Sequence, residues 1–238
     1  MAGGGRVVLV TGAGRPGGLG GAIARAMAGG GFRVAVHFHT SGEGAARLAR
    51  ELGGVALGGD LSREAEASAV IAGVNEAFGR LDVLINNSGI YHRKGLGELR
   101  EDEWREGLDS TVGACFFATR AALPMLRQSP GGRVVNIGDS ACERVSARDL
   151  AVSYHIGKIG VAVLTKSFAR QEAPHGITVN MVSPGMLENS VDADGATEIP
   201  AGRLGTFEDV IGAIRFLVRP ESGYVNGSNI VVGGGWNL

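Results

Sequence analysis

Tyr154 and Lys158, in the stretch Tyr154-His155-Ile156-Gly157-Lys158, stand at the start of an apolar run that extends from Ile156 to Phe168. If that run is helical, the phenol and the ammonium share one face, about one turn apart. A free phenol titrates near ~10 and a neighbouring cation favours the phenolate, so the pair could form an acid that gives up a proton near neutral pH. The same spacing also describes a helix with a half-buried Tyr and an exposed Lys. Its meaning depends on what the rest of the chain brings to it.

The elements that would position such a pair begin at the amino terminus. Arg6 to Thr11 is a short, β-branched run of the kind found in parallel strands buried on both faces. Gly12, Gly14, Gly17, Gly18 and Gly20 follow at once, interleaved with Arg15, Pro16 and Leu19, and Gly21 to Ala28 then reads as a helix whose N-terminus would face a phosphate. A strand, a glycine-rich loop and a helix in this order point to a dinucleotide. The second strand, Arg33 to His39, ends without the Asp or Glu that would accept from a free ribose 2′-hydroxyl. His37, His39, Thr40 and Ser41 offer donors instead, with Arg15 as a nearby cation, which favours NADP(H) over NAD(H). The alternative is that the two histidines fill space at the end of the sheet.

Gly42 to Leu52 reads as a surface helix and Val55 to Leu57 as a short strand. Asp60, beside Leu61, could meet an adenine amino group or cap the following helix, Arg63 to Phe78. Leu81 to Ile85 is a fourth strand that runs into Asn86-Asn87-Ser88-Gly89, a turn-forming set whose Gly lets backbone approach a ligand. Strand and helix alternate throughout, so the fold class is α/β. A Rossmann-type doubly wound parallel sheet of about seven strands, with helices on both faces, is expected.

Composition narrows the function. The 238 residues are 44% hydrophobic with a formal net charge of -1, enough to bury a full core and with no excess charge for nucleic acid or an anionic membrane. The 41 glycines fall at segment ends rather than in a repeat. Cys115 and Cys142 show no metal-ligand spacing, so no metal is expected and reduced thiols in a cytoplasmic protein fit. No stretch approaches the roughly 18 apolar residues of a membrane span.

Thr11-Gly12, Gly18-Leu19-Gly20, Asn86-Asn87-Ser88-Gly89, Tyr154 with Lys158, and Ser183-Pro184-Gly185 occur in the order and approximate spacing of the short-chain dehydrogenases/reductases. The chain resembles that family over essentially its whole length, near the 3-oxoacyl-acyl-carrier-protein reductases and the pteridine reductases. The resemblance implies a single NADP(H)-binding domain over 1–238. It implies a reductase acting on the C=O of a small ketone or 3-oxoacyl substrate, or on the C=N of a pterin or dihydrofolate ring. Tyr154 would then be the acid, and Lys158 would lower its pKa and hold ribose hydroxyls. Asn87, Ser88 and Gly89 would border the cofactor, and Pro184-Gly185 would turn beneath the nicotinamide. A homo-oligomer, dimer or tetramer, is implied too, with Trp236 to Leu238 offering apolar surface to it.

Departures from the family pattern fall at the site. The glycine loop is two residues longer, with Pro16-Gly17 as the insert. Alignment on Phe116 and Thr119-Arg120 puts Thr111 where the family carries a structural and catalytic Asn. Counting from Asn136 puts Asp139 at the position of the catalytic Ser, with Ser140 one residue on. Pteridine reductases carry Asp there, and the end of the second strand also looks like theirs. A substrate lid is expected near 186–204, where Met186 to Pro200 is polar and irregular, with Glu188, Asn189, Asp192, Asp194 and Glu198. The reading from a different class is a catalytically silent NADP(H)-binding protein that keeps the fold.

Overall fold

The computed structural model describes residues 5–190 and 199–236. Seven strands form one parallel sheet in the order β3-β2-β1-β4-β5-β6-β7. In chain order these are β1 Val7–Val10, β2 Arg33–Phe38, β3 Val55–Gly58, β4 Val83–Asn86, β5 Arg133–Ile137, β6 Thr178–Pro184 and β7 Asn229–Val232. The helices are α1 Leu19–Gly29, α2 Gly42–Leu52, α3 Glu64–Phe78, α4 Glu101–Leu108, α5 Ala114–Leu126, α6 Val152–Glu172 and α7 Phe207–Leu217.

Side chains alternate along each strand, so a run that is apolar throughout must be covered on both faces. Val8 and Val10 of β1 pack with Val83 and Ile85 of β4 on the side covered by α1, α2 and α7, while Val7, Leu9 and Leu84 face α3, α5 and α6. That two-sided demand explains why β1 reads as an unbroken apolar stretch and β4 is apolar from Val83 to Ile85. Between β4, β5 and α6 the core carries a polar rung. Asn86 Nδ2 donates to Asn136 Oδ1 at 2.8 Å and to Thr119 Oγ1 at 3.0 Å, and Asn136 Nδ2 donates to Thr165 Oγ1 at 2.9 Å. Both buried Nδ2 groups are thereby paired, as buried donors generally are.

From β1 the chain winds outward through β2 to β3, then returns to place β4 on the other side of β1. The carboxyl ends of β1 and β4 therefore flank the point where the winding reverses, where open α/β sheets hold their ligands. Between α4 and α5 one turn, Asp109–Gly113, is a π-helix. Among the described residues no helix is long and apolar enough to cross a membrane.

Candidate active site

A cleft of about 1230 Å³ opens along the carboxyl edge of the sheet. Its floor at one end is the loop after β1. Gly12 sits at φ +61, a conformation that favours glycine, and a Cβ on Gly20 would lie 2.6 Å from Asn87 Nδ2 and 2.9 Å from Gly12 O. The loop is tied to β4 by Thr11, whose Oγ1 accepts from the backbone N–H groups of Asn87 and Ser88 at 2.9 and 3.2 Å. Asn87 Nδ2 donates back to Thr11 O at 3.0 Å. Gly18 caps α1 without a side-chain acceptor, so the first N–H groups of that helix are left to meet an anion. Gly14, Arg15, Leu19, Ser88, Gly89, Pro184 and Gly185 border the same cleft, as do Thr40, Ser41 and Leu61.

His37 departs from its expected role as a donor to a 2′-phosphate. Its Nδ1 accepts from Gly12 N–H at 3.2 Å and its Nε2 lies 2.9 Å from Gly59 O, so the ring is the neutral tautomer that joins the glycine loop to the end of β3. Burial pushes its pKa down from 6.5 to about 4. His39, Thr40 and Arg15 are exposed at the cleft.

The depressed His37 value has a sign for stability. Above pH 6.5 the ring is neutral folded and unfolded. Between 6.5 and about 4 only the unfolded chain gains the proton, so stability is lost as pH falls through that window and levels off below it. The contribution is on the order of 3 kcal/mol. His37→Gln is therefore expected to show a shallower fall in urea stability between pH 7.5 and 4.5 than the wild type, and equal slopes would refute the assignment.

Asp60 borders the cleft, but its carboxylate is engaged locally. Oδ1 accepts from Ser62 N–H at 3.0 Å and from Ser62 Oγ at 2.7 Å, and Oδ2 lies 3.3 Å from Arg63 Nε. Of the two expected roles, the structure displays the turn at the start of α3.

At the other end, α6 presents Tyr154 and Lys158 to the cleft across from Gly89. Lys158 is buried and its Nζ donates to Ile137 O at 2.7 Å, with the Tyr154 ring centroid 5.4 Å away. Tyr91 packs edge-on against Tyr154 at 5.1 Å. Burial, the Asp139 carboxylate, Cys142 and Tyr91 together hold the Tyr154 phenol well above 10, while burial lowers the Lys158 ammonium. Burial and Asp139 thus act on the phenol in the direction opposite to the one expected of Lys158. Tyr154 stays protonated, the form that donates rather than abstracts.

Asp139 and Ser140 are separated by the fold. Asp139 borders the cleft and its Oδ1 accepts from Ala141 N–H at 2.8 Å, capping the short 3-10 turn Ser140–Cys142. Ser140 is 2% exposed, packs beside Gly233 with its hydroxyl buried and unpaired among the described residues, and does not border the cleft. Its expected catalytic role is corrected on that geometry.

Thr111 does not border the cleft, though its Cγ2 and Lys158 Nζ lie 3.2 and 3.6 Å from the point that a Cβ on Gly89 would occupy. It is buried in the π-turn, and its Oγ1 donates back to Gly107 O at 2.7 Å and Leu108 O at 3.1 Å. Ser110 borders the cleft instead, and its Oγ accepts from Ile90 N–H at 3.0 Å.

Sequence reasoning also missed Tyr91, Arg93 and Arg148, which border the cleft from irregular segments that carry no periodic signal. Trp236, expected at an oligomer interface, borders the cleft, while Asn237 and Leu238 lie outside the described residues. So do Asp192, Asp194 and Glu198 of the expected lid, whose near flank includes Glu188, bonded through its N–H to Gly205 O at 2.9 Å.

The family model described as enoyl-(acyl carrier protein) reductase matches residues 12–237. The 3-oxoacyl-[acyl-carrier-protein] reductase FabG of Vibrio cholerae is 34% identical, with 97% of each chain covered. The short-chain reductase NovJ of Streptomyces niveus is 32% identical over 96% of this chain and 93% of its own. Among solved structures, a short-chain dehydrogenase from Burkholderia cenocepacia in complex with NADP superposes at TM-score 0.90 and 31% identity, covering 98% of both chains.

Proposed function

The chain belongs to the short-chain dehydrogenase/reductase family, an NAD(P)-dependent oxidoreductase by class, and from that premise we propose that it is an NADPH-dependent reductase of a small carbonyl substrate. The observation that carries the reading is the placement of a half-buried Tyr154 beside Lys158, across the cleft from an uncapped helix N-terminus and a glycine cradle.

The residues present fit a dinucleotide. The cradle around Gly12 and Gly20 has no room for side chains, and the α1 N–H groups suit a pyrophosphate. Arg15, His39, Thr40 and Ser41 would hold a 2′-phosphate, and Lys158 and Tyr154 the nicotinamide ribose. When bound, NADPH supplies the hydride that reduces the substrate carbon. Tyr154 gives its proton to the heteroatom on which negative charge develops. Lys158, fixed by Ile137 O, is the cation that steadies the phenolate left behind. Arg15→Ala is expected to weaken NADPH binding about 10-fold and leave NADH binding unchanged, because it removes a charge-assisted contact to the 2′-phosphate alone. Fluorescence titration with the two coenzymes measures this, and parallel losses would refute it.

A second reading rests on Asp139. A carboxylate accepts hydrogen bonds and repels a developing oxyanion, so an Asp facing the cleft in place of a hydroxyl suits a substrate that presents N–H donors beside the reduced bond. A pterin or dihydrofolate ring, reduced at C=N, meets that description. NADPH consumption with a 3-oxoacyl thioester and a dihydropterin, each repeated with Asp139→Ala, separates the readings. Thioester turnover that survives Asp139→Ala supports the carbonyl reductase, and pterin turnover abolished by it supports the second reading. Equal NADPH binding by wild type and Tyr154→Phe with no turnover of either substrate would leave a silent binding protein.

A further inference from the structure

Cys142 has no ligand partner in the sequence pattern, yet the fold gives it two. The 3-10 turn after β5 and the first turn of α6 bring Asp139, Cys142 and His155 together, with one ligand atom from each lying within 4.8 Å of the others. Cys142 Sγ is 3.5 Å from His155 Nδ1, and Asp139 Oδ2 is 4.0 Å from the same nitrogen.

That shared nitrogen decides between two chemistries. A nucleophilic relay needs the thiol on one ring nitrogen and the carboxylate on the other. Here both converge on Nδ1, so no relay can run through the ring, and the three atoms instead surround a point. Zinc bonds to sulfur, nitrogen and oxygen at about 2.3, 2.0 and 2.1 Å set tetrahedral ligand atoms about 3.4–3.6 Å apart, which a small movement of Asp139 reaches. The carboxylate can make that movement without losing its cap, because Oδ1 holds Ala141 N–H and leaves Oδ2 to turn inward. A thiolate, a carboxylate and a neutral imidazole also cancel the charge of a divalent cation, as a largely buried site requires.

We propose that Asp139, Cys142 and His155 form a site for Zn2+, with the fourth position directed to the cleft. Asp139 and His155 border that cleft, which provides the entry path. Binding exchanges the Cys142 thiol proton, released to solvent, for the metal–sulfur bond. The ion takes up the one Asp139 oxygen not used in the cap and places a dication beside Tyr154. It therefore acts on the cleft as a reversible block, an effect that rests on the proposed function, whereas the binding itself does not.

Chelator-stripped full-length protein titrated with Co2+ and then Zn2+ tests this directly. The expected result is one equivalent of Co2+ with thiolate-to-cobalt charge-transfer absorption, bleached by stoichiometric Zn2+. Cys142→Ser should abolish that absorption and weaken Zn2+ by at least the about 100-fold that loss of an outer-shell partner can cost. Unaltered NADPH binding would report its fold, and His155→Gln asks the same question should the Ser variant not fold. Absence of the thiolate band in the wild type, or Zn2+ binding unmoved by Cys142→Ser, would overturn the site. A protein that reduces none of the substrates above leaves this spectroscopic readout intact, so the two failures are distinguishable.

Discussion

Tyr154→Phe is expected to lower turnover by about 10²–10⁴-fold, the share a positioned general acid contributes, with NADPH affinity changed by no more than about 2-fold. The substitution keeps the ring that packs against Tyr91 and over Lys158, and removes only the hydroxyl. Since the phenol is held well above its ordinary range, it is protonated across the working pH range, and its loss takes away the donor without disturbing a charge. Single-turnover NADPH oxidation read beside coenzyme titration checks both halves of the expectation. Turnover that survives the substitution would remove Tyr154 from the chemistry.

Gly157→Ala should be nearly as damaging, for a reason that lies wholly in packing. A Cβ on Gly157 would fall 1.7 Å from Thr111 Oγ1 and 2.8 Å from Thr111 Cβ, and Thr111 cannot swing aside because its hydroxyl is committed to Gly107 O. The π-turn and α6 must therefore part. Overpacking of this kind costs about 3 kcal/mol. Because Tyr154 and Lys158 flank Gly157, a displacement of ~1 Å also costs about 100-fold in turnover. The second substitution Thr111→Gly removes the opposing side chain and should recover part of both losses. Urea melts and kinetics of the single and double variants measure this, and a fully active Gly157→Ala would contradict the close contact.

How far the sequence disclosed this molecule depended on which physical signal carried each part. The strands were legible because burial on both faces demands continuous apolar runs rich in β-branched residues, as in β1 and the first three residues of β4, and Tyr154 with Lys158 because an α-helical repeat fixes their shared face. Counting failed where the repeat changed. Thr111, placed by alignment on Phe116 and Thr119-Arg120, is drawn inside the π-turn at Asp109–Gly113, and its neighbour Ser110 borders the cleft. Neighbours brought together across strands were invisible too. His37 looked like an exposed donor until Gly12 and Gly59, far from it in sequence, claimed both its nitrogens. Asp139 and Ser140 were indistinguishable as adjacent polar residues of a loop, and only the 3-10 turn sends one to the cleft and the other inward.

The Asn86–Asn136–Thr165 rung bears on how the chain is made as well as on how it stands. During synthesis the glycine cradle and β4 emerge long before β5 and α6, so β4 is at first an open sheet edge carrying an amide with no partner. Such edges invite pairing with other chains. The rung closes only when the later elements arrive, and it then joins the early cradle half to the late acid half. The cleft is thus a late product of vectorial folding, and a ribosome-stalled chain ending before β5 would display the cradle with its β4 edge uncovered on one side and no acid opposite it.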